Sequence, residues 1–177
     1  NIGKFWSMPQ TKPYMFLRLS YLEALLAARK LRLAAKECKE MLRLSEHDGL
    51  GRRYQLMFIY AAIEDGDAAI KLYQRYEEGV AMMYLTLTML FYRLGKMKMA
   101  RNFLKELVAV NNDTKAFFER AVQGDLPTRA PGRYAGSFAI GTMEEFGEAV
   151  TDNRFAFLGM DAFFAWGLGE LSGEQGA

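Results

Sequence analysis

An all-α fold built from repeated helix pairs is predicted by three features of the chain. Tyr84, Leu87, Thr88 and Phe91 form an i, i+3, i+4, i+7 stripe, Gly95 interrupts it, and Ala100, Phe103, Leu104 and Leu107 form a second stripe. That pattern describes two antiparallel helices joined by a tight turn. An earlier stretch repeats the plan, with Leu22 and Leu25, a turn near Arg29 and Lys30, then Ala34, Cys38, Met41 and Leu42. Finally, Ala34, Ala69 and Ala100 recur at spacings of 35 and 31 residues, where a small side chain lets two helices approach closely. Repeated helix pairs stack into an α-solenoid, and solenoids commonly present binding surfaces. The expected organisation is three pairs over residues 1–122 with an N-terminal anchoring segment, a Pro/Gly-rich crossing loop over 123–141, and a C-terminal capping helical segment over 142–177. All three parts pack as one domain, for which 177 residues, 51% of them hydrophobic, supply enough core.

Each element has its own local cause. Phe5 and Trp6 lie in an aperiodic start and are expected to pin it onto the first pair. Pro13 suits a first helical turn, because its missing N–H has no partner there, so helix one runs from about Pro13 to Ala28. The second helix, about Leu31 to Leu44, ends before Gly49 and Gly51. A third, about Arg52 to Ile63, breaks around Gly66, and Asp67 is the expected cap of the fourth, AAIKLYQRYEE, which stops at Gly79. The third pair extends from about Val80 to Val110. Asp113 and Thr114 are expected caps of a short helix, KAFFERAV. Between Gln123 and Gly141, Pro127, Pro131 and repeated glycines cannot sustain a helix. Thr142 and Glu145 have capping-box spacing for a restart over TMEEFGEAVTD. One last apolar helix, from about Phe155 to Leu171, carries Phe155, Phe157, Phe163, Phe164 and Trp166 on more than one side, which suits a helix folded back over the stack; SGEQGA is expected to fray.

Composition excludes more than it assigns. A net charge of +2 with 25% charged residues implies neither nucleic acid nor an anionic membrane. The single cysteine, Cys38, cannot form an internal disulfide, and cytoplasm is the expected compartment. No run approaches the roughly 18 apolar residues of a membrane-spanning helix; the longest candidate, MMYLTLTMLFY, stops at Arg93 and reads as a buried helix.

Chemistry has few places to reside. His47, the one histidine, lies between Glu46 and Asp48, yet a metal needs three or four converging ligands and the simpler reading is an exposed turn histidine. Cys38 shares the apolar side of its helix with Leu31, Ala34, Ala35, Met41 and Leu42, so a packed, unreactive thiol is expected. The pairs Glu64 and Asp65, Glu77 and Glu78, and Glu144 and Glu145 are sequence neighbours about 100° apart on a helix, which does not make an acid/base dyad. Phosphate-loop, serine-elbow and zincin strings are missing. No catalytic, cofactor-binding or metal-binding residue is assigned, and neither an enzymatic activity nor a cofactor is expected. Arg29, Arg32, Lys36, Lys39 and Arg43 share one face of the second helix and could follow a phosphate backbone, although Glu37 and Glu40 partly neutralise them and a solvated face is the preferred reading.

The third unit resembles a tetratricopeptide repeat. Counted from Ala81, Tyr84, Leu87, Phe91, Gly95 and Ala100 stand at the family's signature positions, with Leu104 and Leu107 following. The first unit, counted from Met15, keeps Ala34 but lacks the aromatic and the turn glycine; in the second, the glycine is taken as Gly66. The strings FWSMPQTKPYM and EMLRLSEHDGLGRRYQLM, with Gly136, Ser137, Glu148, Ala149 and Val150, are similar to a group of mostly uncharacterised bacterial tetratricopeptide proteins, and that similarity covers nearly the whole chain. Glu46 and Asp48 depart from the proline and asparagine usual in that group. The resemblance implies a right-handed superhelical stack whose first helices line a concave side, and implies no activity.

It also implies which residues face the groove. In the third unit these are Met82, Leu85, Met89, Tyr92 and Arg93; in the first, Phe16, Leu19, Glu23, Leu26 and Ala27; Tyr60 joins from the second. Arg52, Arg53 and Arg93, on first helices, could clamp a carboxylate or phosphate. The leading expectation is a non-enzymatic scaffold that binds a partner protein or peptide through Arg53, Tyr60, Met82, Leu85, Met89, Tyr92 and Arg93. Alternatives are a nucleic-acid module using the basic face of residues 29–43, with nucleic acid the less favoured partner, and a regulatory subunit or domain of a larger enzyme. A homodimer through the aromatic last helix stays open, as does filling of the groove by that helix.

Overall fold

The computed structural model describes residues 2–173, and among them the chain is all-helical, with ten α-helices and no strand. No helix among these residues is long and apolar enough to cross a membrane. After a single 3-10 turn, Phe5–Ser7, come three hairpins: α1 (Lys12–Ala27) with α2 (Leu31–Leu44), α3 (Arg52–Ile63) with α4 (Gly66–Tyr76), and α5 (Ala81–Arg93) with α6 (Met97–Val110). Pro13 lies in the first turn of α1. Phe5 and Trp6 meet Tyr14 and Phe16 edge-on, with ring centroids 6.1 and 5.4 Å apart, and Glu46 N–H donates to the Gly3 carbonyl at 2.9 Å. The N-terminal segment is therefore tied to both ends of the first hairpin.

The three hairpin turns are one structure repeated. Arg29, Glu64 and Gly95 each adopt a left-handed conformation, with φ of +56°, +60° and +70°. In each, the next residue donates back across the turn, Lys30 to Leu25, Asp65 to Tyr60 and Lys96 to Phe91, at 2.9, 3.0 and 2.9 Å. These are the longer bonds of a Schellman-type helix ending. Five residues after each left-handed residue stands a fully buried alanine, Ala34, Ala69 or Ala100. The turn of the second unit thus centres on Glu64 and not on Gly66, and Asp65, not Asp67, caps α4 by accepting from Ala68 N–H at 3.1 Å. Once Glu64 holds the left-handed position, α4 has to begin at Gly66, and Asp67 already lies inside its first turn.

α7 (Thr114–Val122) ends in the same way, with Gly124 at φ +74° and Asp125 N–H bonded to the Arg120 carbonyl. Here no second helix follows, because Pro127 and Pro131 cannot supply the N–H groups that one needs. Asp113 does not cap α7 with its side chain; it accepts from Met143 N–H at 2.7 Å and holds the start of α8 (Met143–Asp152). Thr142 accepts from Glu144 N–H, while Glu145 reaches back to Gly141 N–H at 2.9 Å, one residue earlier than a capping box would have it.

The expected last helix is two. α9 (Arg154–Phe157) and α10 (Asp161–Ser172) are separated where Leu158 is extended and Gly159 takes φ +69°. The break lets α9 pack on α3 while α10 packs on α7 and α8 on α5 and α7. Residues 174–177, most of the tail expected to fray, lie outside the described residues. An aromatic cluster joins these helices: Phe117 stacks on Phe146 with centroids 4.2 Å apart, Phe118 meets Phe163 and Phe164, and Phe157 meets Phe58 of α3. Each such buried ring removes apolar surface worth about 2–3 kcal/mol. The result is a helix, α5, buried without interruption from Ala81 to Phe91.

Candidate binding cleft

The third-unit residues expected to face a partner are covered by the chain itself. Leu85 and Met89 have no accessible surface, and Tyr60 and Met82 are buried. Tyr92 packs on Phe163 and Trp166 of α10, with centroids 5.4 and 5.1 Å away, and Arg93 Nε donates to Met160 Sδ at 3.2 Å. The groove as assigned is therefore not open in this structure. A helix apolar on every side needs cover on every side; α6, α3 and α4 supply most of it, and the C-terminal segment closes the remaining side.

Arg53 is also fully engaged. Its Nη1 donates to Asp48 at 2.8 Å, its Nε and Nη2 donate to Glu78 at 3.0 and 2.9 Å, and its Cζ lies 4.3 Å from the centroid of the Tyr54 ring. Despite partial burial, these two carboxylates hold its pKa above the ordinary arginine value. Tyr54 donates its hydroxyl to Glu78 at 2.6 Å, and burial pushes its own pKa up. Asp48 completes the arrangement by accepting from the backbone N–H groups of Arg52 and Arg53 at 2.7 and 2.9 Å, which fixes the start of α3.

What stays open is the first-unit end of the same side. Two adjoining cavities of about 490 and 440 Å³ share Leu19, Arg52, Gln55, Ala135 and Asp152. Leu19, Glu23, Leu26 and Ala27 of α1 line one wall, as the concave positions of the first unit were expected to do; Phe16 instead lies exposed against Trp6. Arg53 and Met82 border the larger cavity. The opposite wall is the crossing loop and the end of α8.

That wall is held by one ion-pair network. Arg129 Nε donates to Glu148 at 2.7 Å and Nη2 to Asp152 at 2.6 Å, while its backbone N–H reaches Thr151 Oγ1 at 2.8 Å. Glu148 also accepts from Gly136 N–H at 2.5 Å, so a single carboxylate spans both arms of the loop. Burial pushes the Asp152 carboxyl up, against the opposing pull of Arg129 and Arg52. Gly147 allows the approach, since a Cβ there would meet the Thr128 carbonyl at 2.8 Å.

Within the cleft Arg52 differs from Arg53. Its guanidinium donates to the Leu50 carbonyl at 3.0 and 2.8 Å and to Gln55 Oε1 at 2.6 Å, with no carboxylate in an ion pair among the described residues. Gln55 in turn donates to the Asp152 carbonyl at 3.1 Å and bridges α3 to α8. Arg154 lines the cleft, exposed. Phe155, Leu26 and Leu19 give it an apolar floor. Such a cleft has the size of a small-ligand or short-peptide site, with a few polar groups converging on apolar walls.

The other sequence candidates lie elsewhere. His47 is exposed in its turn, and no group of three or more His, Cys, Asp or Glu side chains is placed to hold a metal among the described residues. Cys38 is buried, and desolvation pushes its thiol up to about 12. Arg29, Arg32, Lys36, Lys39 and Arg43 are exposed on α2 and its turn; Glu40 binds Arg43, and Glu37 is buried against Arg18 of α1. Sequence reasoning did not find Asp48, Gln55, Arg129, Glu148 or Asp152. Only the i, i+4 spacing of Glu148 and Asp152 offered a signal, two carboxylates on one helix face that require a cation.

Compared with protein-family models, curated proteins and solved structures, the chain gives no significant match.

Proposed function

We propose that this chain is a non-enzymatic, tetratricopeptide-like scaffold that binds an extended segment of a partner protein in the cleft between α1, α3 and the crossing loop. The repeated Schellman turns with their buried alanines support the repeat reading. The observation that carries the binding reading is Arg52: a half-buried guanidinium on the cleft wall whose partners are a carbonyl and an amide rather than a carboxylate. A partner carboxylate there would gain a charge-assisted, bidentate contact. Leu19, Leu26 and Phe155 would receive apolar side chains next to it, and Arg154 supplies a second cation at the rim. The ligand this describes is a short peptide with one or two acidic residues beside apolar ones.

Selection from a display library of short random peptides tests this directly. Enriched peptides should share an acidic residue flanked by apolar ones. Arg52→Glu and, separately, Arg154→Glu should each weaken them about tenfold, as expected for loss of one charged contact. Arg93→Glu, on the covered side, should leave capture unchanged if the variant keeps its helicity. Failure to enrich any peptide, or capture by both cleft variants as strong as by the parent chain, would remove this cleft from consideration.

A further inference from the structure

We infer that the outer face of the first hairpin is a second interaction surface, shaped for an amphipathic helix of a partner protein whose apolar stripe is flanked by acidic residues. Tyr14, Leu17 and Tyr21 stand at i, i+3 and i+7 on α1 with 43%, 67% and 53% of their surfaces exposed, and Leu33 of α2 adds 49%. The apolar faces of α2, α5 and α6, by contrast, are packed against neighbouring helices. Singly scattered exposed hydrophobics are ordinary; a continuous stripe marks a contact site.

The charges beside the stripe say what covers it. Between α1 and α2 lies a hollow of about 580 Å³ lined by Tyr21, Leu33, Lys36, Lys39 and Arg43. Its two carboxylates are already taken, Glu37 by Arg18 at 2.6 Å and Glu40 by Arg43 at 2.7 Å. Lys36 and Lys39 are exposed and have no ion pair among the described residues, so the rim of the hollow is cationic. Arg18 also donates to the Tyr14 hydroxyl at 2.6 Å, which holds that ring in place along the stripe. A concave trough between two helices receives the side-chain ridge of a third, read as i, i+3, i+4, i+7 anchors. The cationic rim selects a partner with Glu or Asp beside those anchors. A second copy of this chain would bring Lys36 and Lys39 against their own equivalents, which disfavours a two-fold contact through this face.

The test uses three synthetic peptides of about 16 residues, long enough to form helix on docking. They carry the same leucine stripe, flanked by Glu, Gln or Lys, and their binding to the full chain is followed by fluorescence anisotropy. The Glu-flanked peptide should bind about tenfold more tightly than the Gln-flanked one, as two favourable charge contacts allow, and more weakly as salt is raised. Leu17→Asp, at an exposed position, should abolish binding while helicity and melting temperature stay unchanged. Lys36→Glu with Lys39→Glu should reverse the preference toward the Lys-flanked peptide. Equal affinity for all three peptides, or binding unaffected by Leu17→Asp, overturns the proposal. So do binding to phosphatidylserine vesicles in place of peptide and a concentration-dependent dimer abolished by Leu17→Asp, which assign the face to lipid or to self-association. Leu17, Lys36 and Lys39 do not line the cleft, so their variants separate binding at this surface from binding beside Arg52.

Discussion

Glu64 occupies in the second hairpin the left-handed position that Gly95 occupies in the third, with φ of +60° against +70°, and both are followed five residues later by a fully buried alanine. The two backbones are equivalent, but their side chains are not. A residue with a Cβ carries a cost of about 1–2 kcal/mol in this conformation that glycine does not.

Exchanging the residues separates backbone strain from packing. Glu64→Gly should raise stability by about 0.5–1 kcal/mol, and Gly95→Ala should lower it by about 1 kcal/mol. No atom lies within 4 Å of a Cβ built at Gly95, so the loss there comes from the backbone alone. Urea midpoints measure both; an unmoved midpoint for Gly95→Ala would contradict the turn geometry.

At Gly147 the expected effect is steric. An added Cβ would meet the Thr128 carbonyl at 2.8 Å, so Gly147→Ala should cost about 1–3 kcal/mol by pushing the crossing loop off α8. Limited proteolysis should then cut between residues 127 and 137 faster than in the parent chain. Unchanged cleavage would mean that the loop does not rest on this helix.

Removing Arg129 should have a larger consequence. Arg129→Met leaves Glu148 buried without its cation and should cost about 3 kcal/mol, because an orphaned buried charge is more harmful than an absent pair. Adding Glu148→Met should recover part of that loss. A double-mutant cycle gives the coupling, and a value near zero would show that the pair does not hold the loop.

Glu145 offers a test by pH. It is buried, and desolvation raises its pKa above the ordinary value of 4.5 despite hydrogen bonds from Gly141 N–H and Asn111 Nδ2. The folded state therefore binds its proton more tightly than the unfolded state, and the carboxylate destabilises the fold above its raised pKa. Glu145→Gln keeps an acceptor and removes the charge, so at neutral pH it should be at least as stable as the parent. Its advantage should shrink as pH falls through the raised pKa toward 4.5. Glu145→Ala, which leaves Gly141 N–H and one hydrogen of Asn111 Nδ2 without an acceptor, should instead lose about 1–3 kcal/mol at neutral pH. A pH-independent difference between parent and Gln variant would contradict the burial of this group.

Thiol labelling reports on the core. With Cys38 buried and its pKa pushed up to about 12, an aromatic disulfide reagent should react at the rate of global opening and accelerate in step with denaturant. Fast labelling in buffer would place this thiol near the surface.

The helices were legible in the sequence to the extent that their signals were local. α2 and α3 begin and end as read, because an apolar stripe stops at glycines or at a left-handed turn. The caps were less legible: Asp65 and Asp67 have the same chemistry, and only the conformation of Glu64 decides between them. Gly159 gave no warning of its break, since the apolar run continues on both sides of it. The covering of α5 was announced by a helix apolar on every side, but which segment completes it depends on pairs such as Tyr92 with Phe163, distant in sequence. The cleft rests on the same kind of pairing. Gln55 meets the Asp152 carbonyl across 97 residues, and no periodicity encodes that contact.

Packing of α9 on α3 and of α8 on α5 gives the chain a behaviour that an open stack lacks. In a linear array each repeat touches only its neighbours, so ends melt first and unfolding spreads gradually. Here the last-made segments bind the middle helices, and neither can loosen without exposing the other's rings. Denaturation should therefore follow one sharp, cooperative transition whose denaturant sensitivity scales with the full length. During synthesis, the side of α3 around Phe58 lacks its cover until α9 arrives, an interval in which that apolar patch is exposed to whatever else binds it.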